Sequence, residues 1–327
     1  MATCTNFNAT NVTAAIDSPF GEPDLIVLHL GFGGRPGENT DLTSLELYAN
    51  QTVLLAMALA TGKDIVLVLF TALPPNITGL VANPQIRAII MAYYPQHHGG
   101  TAVIDVMTGK VNPAGRLVST WPIAGYDPKL HGEIGNYSMI GTKKTYRFGF
   151  PSEATLFSFG YGKSYSEFSY SDLTVSPTTV VPCDTVNISV TVHNTGAVDG
   201  SEVVQLYLSW SGAGLGGSPT ADLQLADFAR VFVPAGGAAV VALAVDARHY
   251  AVLQEQPPGA NGTWVPPAYV MKPVEVAVSV GGQQPGGVPR LSSNVLAGSF
   301  TVAGDGSPAS RCPRWLPHDH RGPIKHA

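Results

Sequence analysis

The first 122 residues alternate between short apolar runs and segments whose apolar residues recur at helical spacing. Three runs of four to seven residues, bounded by Gly and Pro, predict buried strands at Asp24–Leu30, Asp64–Phe70 and Ala88–Tyr93. Apolar residues at helical spacing predict helices at 45–60, 76–81 and 101–109. Regular alternation of strands and helices indicates a mostly parallel α/β layer.

The stretch from Ile86 to Pro122 shows this alternation most clearly. The run at Ala88–Tyr93 is typical of a strand buried on both faces. Gly99-Gly100 then permits a tight turn into the helix, and Gly109 ends that helix. A second turn, Asn112–Leu117, is predicted to lock the helix to the extended segment Val118–Pro122. The stretch is therefore interpreted as a βαβ-like unit.

From Ser169 onward the apolar period changes to two. Alternating segments predict strands at Val186–Val192, Val203–Leu208, Phe228–Val233, Ala239–Val245 and Val274–Val280. Turn residues separate them and no helical pattern intervenes, which favours an immunoglobulin- or fibronectin III-like β-sandwich. The predicted organisation is an irregular segment at 1–22, an α/β domain at 23–168, a β-sandwich at 169–303 and a disordered tail at 304–327.

Composition narrows the possible functions. A chain of 327 residues can bury two cores, and its longest apolar runs are too short to cross a bilayer. A net charge of −5 without a basic run argues against nucleic acid as a partner. The Gly-rich loop after the first strand lacks Rossmann spacing and a Walker lysine, and His97 and His98 are adjacent, so we expect neither a cofactor nor a metal.

Signals for the cellular compartment are mixed. The N-terminus lacks the charged start and apolar core of a secretory signal peptide. Acceptor sequences for N-glycosylation are nevertheless frequent, at Asn8, Asn11, Asn50, Asn76, Asn136, Asn187 and Asn261. The three cysteines, Cys4, Cys183 and Cys312, are odd in number and widely spaced, so they indicate neither a disulfide framework nor a zinc site.

Candidate chemistry lies where the predicted strands end. Ligands of open α/β sheets bind beyond the carboxyl ends of the strands, which here are the loops 31–41, 71–76 and 94–100. Asp41 precedes a predicted helix and can cap it. Glu38 has no such structural role, and spacing alone leaves it either a solvated loop carboxylate or a functional acid.

Several motifs, in this order, resemble glycoside hydrolase family 3, the β-glucosidases and β-xylosidases. They are YPQHHGGTAVIDVMTGKVNPAGRLVSTWP, then KKTYRFGFPSEATLFSFGYGKSYSEFSYSDL, then NISVTVHNTGAVDGSEVVQLYLS, the last of these similar to the family's fibronectin type III-like domain. The resemblance covers residues 20–303, and its Thr-Tyr-Arg segment favours the β-xylosidase branch. It implies retaining hydrolysis of terminal β-linked sugars by two carboxylates.

The resemblance also assigns site residues. Asp41 occupies the family's Asp-Arg position, so Glu38 is identified as the candidate general acid/base, with Arg35, Tyr94 and His97 as candidate substrate-binding residues. Two departures are visible: Leu42 replaces the family's Arg, and Gln96-His97 stand where the family has Gly-Gln. The expected partner is a β-linked oligosaccharide or glycoside, and the expected location is extracellular.

The family's nucleophile lies on an N-terminal (β/α)₈ barrel, which needs about 250 residues. Because so few residues precede Asp24, we expect this chain to be a barrel-less C-terminal part with little or no activity by itself. A non-catalytic carbohydrate-binding or adhesion module, using Tyr93, Tyr94 or Trp121, is the alternative. A purely structural fibronectin-like protein is a third interpretation.

Overall fold

The computed structural model describes residues 23–32, 42, 44–125, 138–211, 215, 220–291 and 293–312. The chain forms two compact units. The first comprises residues 1–111 and 122–133, and the second comprises residues 112–121 and 134–327. The predicted domain boundary between residues 168 and 169 stays a prediction.

The first unit contains a parallel sheet of three strands. They are β1 (Leu25–Leu30), β2 (Asp64–Leu69) and β3 (Ile86–Met91), in the order β1-β2-β3. Its helices are α1 (Ala49–Ala60), α2 (Thr78–Val81) and α3 (Gly99–Met107). All three predicted helices are present, although α1 begins four residues later than the apolar spacing predicts.

Strand β2 lies at the centre of this sheet and buries five of its six residues. Val66 and Val68 pack with Val103 of α3 on one face. Because side chains alternate along a strand, Ile65, Leu67 and Leu69 point to the other face, where they are fully buried. A continuous apolar run therefore predicted the central strand correctly.

Two expectations about the stretch 86–122 are wrong. Strand β3 ends at Met91 rather than Tyr93, and it is an edge strand with no fully buried residue. An apolar run does not reveal whether its strand has one neighbour or two. The extended segment shrinks to a two-residue strand, β4 (Trp121–Pro122), which lies outside the parallel sheet, so the stretch 86–122 does not form a βαβ unit.

The second unit is a β-sandwich. Its strands are β6 (Phe168–Ser176), β7 (Thr179–Val180), β8 (Val186–Asn194), β9 (Gly200–Ser211), β10 (Gln224–Val233), β11 (Ala238–Val245), β14 (Val274–Gly281) and β15 (Val295–Val302). One sheet has the order β10-β9-β14-β15-β7 and the other the order β11-β8-β6. Shorter elements are α4 (Met139–Thr142), β5 (Thr155–Phe157), α5 (Ala247–Tyr250), β12 (Val252–Gln254) and β13 (Ala268–Val270).

The core of the sandwich follows from the period of two. Residues Val186, Ile188, Val190 and Val192 of β8 are buried, and they face a core that includes Val204, Leu206 and Leu208 of β9. All five predicted strands are present. Strands β6 and β15 were missed because Ser, Asp and Thr interrupt the apolar alternation of β6, and Gly298 interrupts that of β15.

The predicted disordered tail needs correction for residues 304–312. Ala309–Arg311 form a 3₁₀ helix, Ala309 is fully buried, and Cys312 forms a disulfide with Cys183. The bond joins cysteines 129 residues apart, which the sequence did not indicate. Residues 313–327 lie outside the described part of the chain. Among the helices that the structure describes, none is long and apolar enough to cross a membrane.

Candidate functional site

The carboxyl ends of the three parallel strands lie side by side. Leu30 pairs with Leu69, and Leu69 pairs with Met91, so the last residues of β1, β2 and β3 meet at one edge of the sheet. The loops that follow these strands therefore begin at the same edge, as the predicted parallel arrangement requires. Ligands of open α/β sheets bind at such an edge, and the loops determine which side chains reach it.

The first loop leaves β1 through Gly31, whose φ is +148°. A Cβ atom at this position would overlap the carbonyl oxygen of Phe70. Both backbone groups of Gly31 are held by Gln51 of α1: the Gly31 N–H donates to Oε1 at 3.1 Å, and Nε2 donates to the Gly31 carbonyl at 2.6 Å. The start of the loop that contains Glu38 is thus fixed by a helix and by the neighbouring strand.

The second loop is bound to the far end of the first. The Thr71 hydroxyl is buried and donates to the Leu73 carbonyl at 2.9 Å, which closes a local turn. Asn76 then donates its backbone N–H to the Leu45 carbonyl at 2.7 Å, and its Nδ2 donates to Glu46 at 2.7 Å. Residues 31 and 45, on either side of the candidate loop, are therefore both anchored.

The third loop contains two of the predicted substrate-binding residues. Tyr94 is half-exposed and His97 is exposed. The loop places Tyr93 in the left-handed region at φ +53°, and the Gly99 N–H donates to the Gln96 carbonyl at 2.9 Å. The turn thus reverses the chain with Gln96 outside the left-handed region, so this position does not require glycine.

The predicted site residues are only partly described. Tyr94 and His97 lie together on the third loop, at the expected sheet edge. Glu38, Arg35 and Asp41 lie outside the described residues, so their roles stay predictions. Among the residues that the structure describes, no three of His, Cys, Asp and Glu are close enough together to hold a metal ion.

Sequence reasoning missed one side chain at this edge. The ring of His29 stacks on that of Phe70, with centroids 5.1 Å apart and planes 18° apart. The alternation of residues along β1 could have indicated it, because His29 shares the exposed side of the strand with Leu25 and Val27. His29 lies on β1, two residues before Gly31.

A buried polar cluster in the second unit includes Arg116 of the motif NPAGRL. Nη2 of Arg116 donates to Oε2 of Glu202 at 2.8 Å, and the two side chains are only 9% and 2% exposed. The hydroxyl of Tyr170 donates to Oε1 of the same carboxylate at 2.9 Å. The Nε–H of Arg116 is buried and finds no acceptor among the described residues. We call Arg116, Glu202 and Tyr170 the buried triad.

The electrostatics of the buried triad are set by its burial. Burial raises the pKa of Glu202, although the charge of Arg116 and the hydrogen bond from Tyr170 oppose that change. Burial and the neighbouring carboxylate also raise the pKa of the Tyr170 hydroxyl well above its usual value. A protonated tyrosine is therefore the stable donor to Glu202.

Asn112 binds the same motif to the sandwich. Its Oδ1 accepts from the Ser164 hydroxyl at 2.8 Å and from the Tyr165 N–H at 2.9 Å. Its Nδ2 donates to Ser166 Oγ at 2.8 Å and to the Asp199 carbonyl at 2.9 Å. The side-chain amide thus makes four hydrogen bonds, the full capacity of an asparagine.

The interpretation of Asn112–Leu117 as a lock between helix and strand is therefore wrong. Its side chains bind residues of the β-sandwich unit, and the Leu117 backbone pairs with Gly160 and Tyr161. Sequence spacing gave no signal, because the partners of these side chains are 52 to 87 residues away. These polar side chains join segments of the second unit that lie far apart in sequence.

Comparison with known proteins identifies both parts of the chain. Residues 10–165 match the glycosyl hydrolase family 3 C-terminal domain, and residues 202–284 match the fibronectin type III-like domain. The β-xylosidase of Formosa agariphila is 35% identical over 187 residues, which make up 57% of this chain and 25% of that protein. The periplasmic β-glucosidase of Salmonella typhimurium is 32% identical over 193 residues, with the same two shares.

The fold is also found in solved structures. The crystal structure of the family 3 β-glucosidase of Bifidobacterium adolescentis superposes with a TM-score of 0.72 at 24% identity, covering 98% of this chain and 44% of that one. This chain spans about a quarter of the length of the two relatives named above. The predicted α/β layer followed by a fibronectin III-like sandwich is confirmed. The chain therefore contains the C-terminal domain of glycoside hydrolase family 3, followed by a fibronectin type III-like domain.

Proposed function

We propose that this chain forms part of a retaining β-glycosidase that hydrolyses O-glycosyl bonds of β-xylosides or β-glucosides. Glu38 is its general acid/base. The observation that carries the proposal is the loop after β1, which starts at the carboxyl edge of the parallel sheet and is fixed at Gly31 and at Leu45. Proton transfer requires an acid held within hydrogen-bond reach of the leaving oxygen, and the anchored ends of this loop support that role for Glu38.

The chemistry explains why a second domain is needed. Retention requires two carboxyl groups about 5–5.5 Å apart, one to protonate the leaving oxygen and one to form the glycosyl-enzyme intermediate. Glu38 supplies the first. The second is a carboxylate of a barrel domain, and without it no covalent intermediate forms. The isolated chain is therefore inactive in this proposal.

Arg35, Tyr94 and His97 are the proposed contacts to the sugar. Tyr94 is half-exposed and can stack on a sugar ring, while His97 and Arg35 can donate hydrogen bonds to hydroxyl groups. The substrates are short β-linked glycosides released from plant-type polysaccharides such as xylan.

An extracellular or periplasmic location is part of the proposal. The Cys183–Cys312 disulfide supports it, because such bonds persist in oxidising compartments and are rare in the cytosol. The Salmonella relative is described as periplasmic. The acceptor asparagines Asn50, Asn187 and Asn261 are exposed and are the proposed glycan sites in a eukaryotic secretory pathway.

A chimera tests the role of Glu38. The N-terminal part of the Formosa β-xylosidase, up to the start of the matched region, is joined to this full chain, and hydrolysis of phenyl β-xyloside and phenyl β-glucoside is measured. We expect turnover by the chimera and none by the chain alone. Glu38→Gln should lower kcat/KM at least 100-fold, in line with the usual contribution of a general acid.

The leaving group provides an internal control. A 2,4-dinitrophenyl glycoside needs no protonation, so Glu38→Gln should slow its glycosylation step far less. Glu153→Gln, on an exposed carboxylate of a 3₁₀ helix in the second unit, should leave all rates unchanged. A folded chimera without turnover overturns the proposed function. An active chimera insensitive to Glu38→Gln overturns the assignment of Glu38, and turnover by the isolated chain overturns the need for a barrel.

A further inference from the structure

Strand β10 presents a row of three large side chains on the outside of the β-sandwich. Phe228 and Phe232 are 63% and 60% exposed, and Arg230 between them is exposed as well. Their neighbours in sequence, Ala229, Val231 and Val233, pack against the core. Because side chains alternate, the three lie on one face, with the two phenylalanines about 13 Å apart along the strand. We call this row the aromatic ledge.

The aromatic ledge lies on the outer face of its sheet, beside a part of that face that is covered. On the adjacent strand β9, Tyr207 and Gln205 of the same face are buried. Tyr146 lies edge-on to Tyr207 at 6.3 Å and stacks on Phe159 at 4.1 Å, and the Gly160 carbonyl accepts from Gln205 at 3.0 Å. The segment that covers this face does not shield Phe228 and Phe232 from solvent. Exposed large apolar groups that cluster on a rigid element are typical of binding surfaces.

The edge of β10 is not open to strand addition along its whole length. A bulge between Leu225 and Asp227 interrupts the ladder with β9. The Asp227 carboxylate accepts from the Phe228 N–H at 2.8 Å and from the Ala244 N–H of β11 at 3.3 Å. The Phe228 N–H is therefore occupied, and a bulge with a charged residue on an edge strand discourages pairing with another strand. The side chains of the ledge are therefore the surface offered to a ligand.

The size of the ledge argues against a protein partner. An aromatic side chain can bury 150–250 Å², so two rings at these exposures offer roughly 250 Å² together. A stable interface needs about 800 Å² on each partner. By themselves the two rings are therefore too small to hold a second copy of the chain, and they are large enough for a short, narrow ligand that lies along the strand.

The chemistry of the ledge matches a glycan chain. The ring faces can stack on the C–H faces of sugar rings, and the guanidinium between them has five N–H donors for hydroxyl groups. We infer that Phe228, Arg230 and Phe232 bind a β-linked polysaccharide of the xylan or β-glucan class, at a distance from the bond that is cleaved. The choice of a glycan rests on the proposed function. The ledge would hold the enzyme on the polymer whose ends it hydrolyses.

Affinity electrophoresis of the full chain tests this inference. Native gels contain either soluble arabinoxylan or mixed-linkage β-glucan, and retardation gives the dissociation constant. We expect retardation in at least one polysaccharide. Phe228→Ala/Phe232→Ala should weaken binding at least tenfold, and Arg230→Ala by a smaller factor. Val240→Ala is the matched control: Val240 is 73% exposed on β11, and its truncation should change nothing.

The results that would overturn the glycan site are distinct from one another. Equal retardation of the wild-type chain and the double variant, or no retardation in either polysaccharide, overturns the glycan site. A dimer in sedimentation that Phe228→Ala/Phe232→Ala dissociates also overturns it, in favour of self-association. In the chimera described above, the same double variant should hydrolyse phenyl glycosides at the wild-type rate. Hydrolysis of phenyl glycosides by the chimera tests the proposed hydrolase function independently. A failure of the glycan site is thereby distinguished from a failure of the hydrolase function.

Discussion

The guanidinium of Arg116 lies 2.8 Å from the carboxylate of Glu202, and both groups are removed from water. One partner belongs to the family's NPAGRL motif and the other to strand β9, 86 residues further along the chain. Gly282 packs so closely on Glu202 that a Cβ atom there would overlap Oε1. The pair is thus enclosed by backbone as well as by side chains. Substitution of either partner should therefore change the free energy of unfolding measurably.

Removing one partner of the pair should be costly. Arg116→Met leaves the Glu202 charge buried and unpaired, and we expect a loss of about 3–5 kcal/mol in the free energy of unfolding. All four tryptophans belong to the second unit, so tryptophan fluorescence during urea unfolding reports on that unit. The double variant Arg116→Met/Glu202→Leu should recover much of the loss, because it removes both charges. A loss below 1 kcal/mol for Arg116→Met would contradict the burial of the pair.

The raised pKa of Glu202 predicts an unusual pH dependence. Because burial disfavours its charged form, the folded state binds a proton more tightly than the unfolded state, whose pKa is near 4.5. The contribution of Glu202 to stability is therefore fully present below pH 4.5 and is lost as pH rises through the folded-state pKa. The difference in unfolding free energy between wild type and Glu202→Gln, measured from pH 4 to 8, should fall with pH. A difference that rises with pH would mean that the Arg116 charge outweighs burial.

Asn112 provides a test with neutral groups. Its four hydrogen bonds join Ser164, Tyr165, Ser166 and Asp199. Asn112→Ala removes all four bonds, and we expect a loss of about 2–4 kcal/mol, from roughly 1 kcal/mol for each net hydrogen bond. Ser164→Ala, which removes one bond to the amide and one from the Ser166 N–H, should cost about 1–2 kcal/mol. Equal losses of unfolding free energy for the two variants would show that the Asn112 side chain does not hold these four residues together.

These contacts mark the limit of what the sequence could predict. Strands β8 and β11 were predictable because one buried face imposes strict alternation, as from Val186 to Val192. The run at Ala88–Tyr93 looked equally buried, yet it is an edge strand, because sheet order is a tertiary property. The partner of Arg116 was invisible because no local rule links it to Glu202. In the candidate site, parallel strands predicted the shared edge, and only the family resemblance singled out Glu38.

Gly31 is the position at which the candidate loop can be tested for strain. A Cβ atom would overlap the Phe70 carbonyl, and the φ of +148° is unfavourable for other residues. Gly31→Ala should force β1 and β2 apart and lower the unfolding temperature of the first unit by several degrees. Gly100→Ala is the matched control, since no atom lies within 4 Å of its Cβ position in α3, where alanine favours the helix. The measurement is thermal unfolding followed by circular dichroism, and an unchanged Gly31→Ala variant would show that the strand ends can move apart freely.

The disulfide between Cys183 and Cys312 should be the largest single covalent contribution to the stability of the second unit. It closes a loop across 129 residues, for which the chain-entropy model gives about 5 kcal/mol. Cys183→Ser/Cys312→Ser should lower the unfolding free energy by about 2–5 kcal/mol, and dithiothreitol should have the same effect on the wild type. Cys4→Ser is the control and should leave the unfolding curve unchanged. Alkylation of the unreduced, denatured chain should label one cysteine, Cys4, because the other two are joined. Labelling of all three would contradict the bond, and with it the structural support for an oxidising compartment.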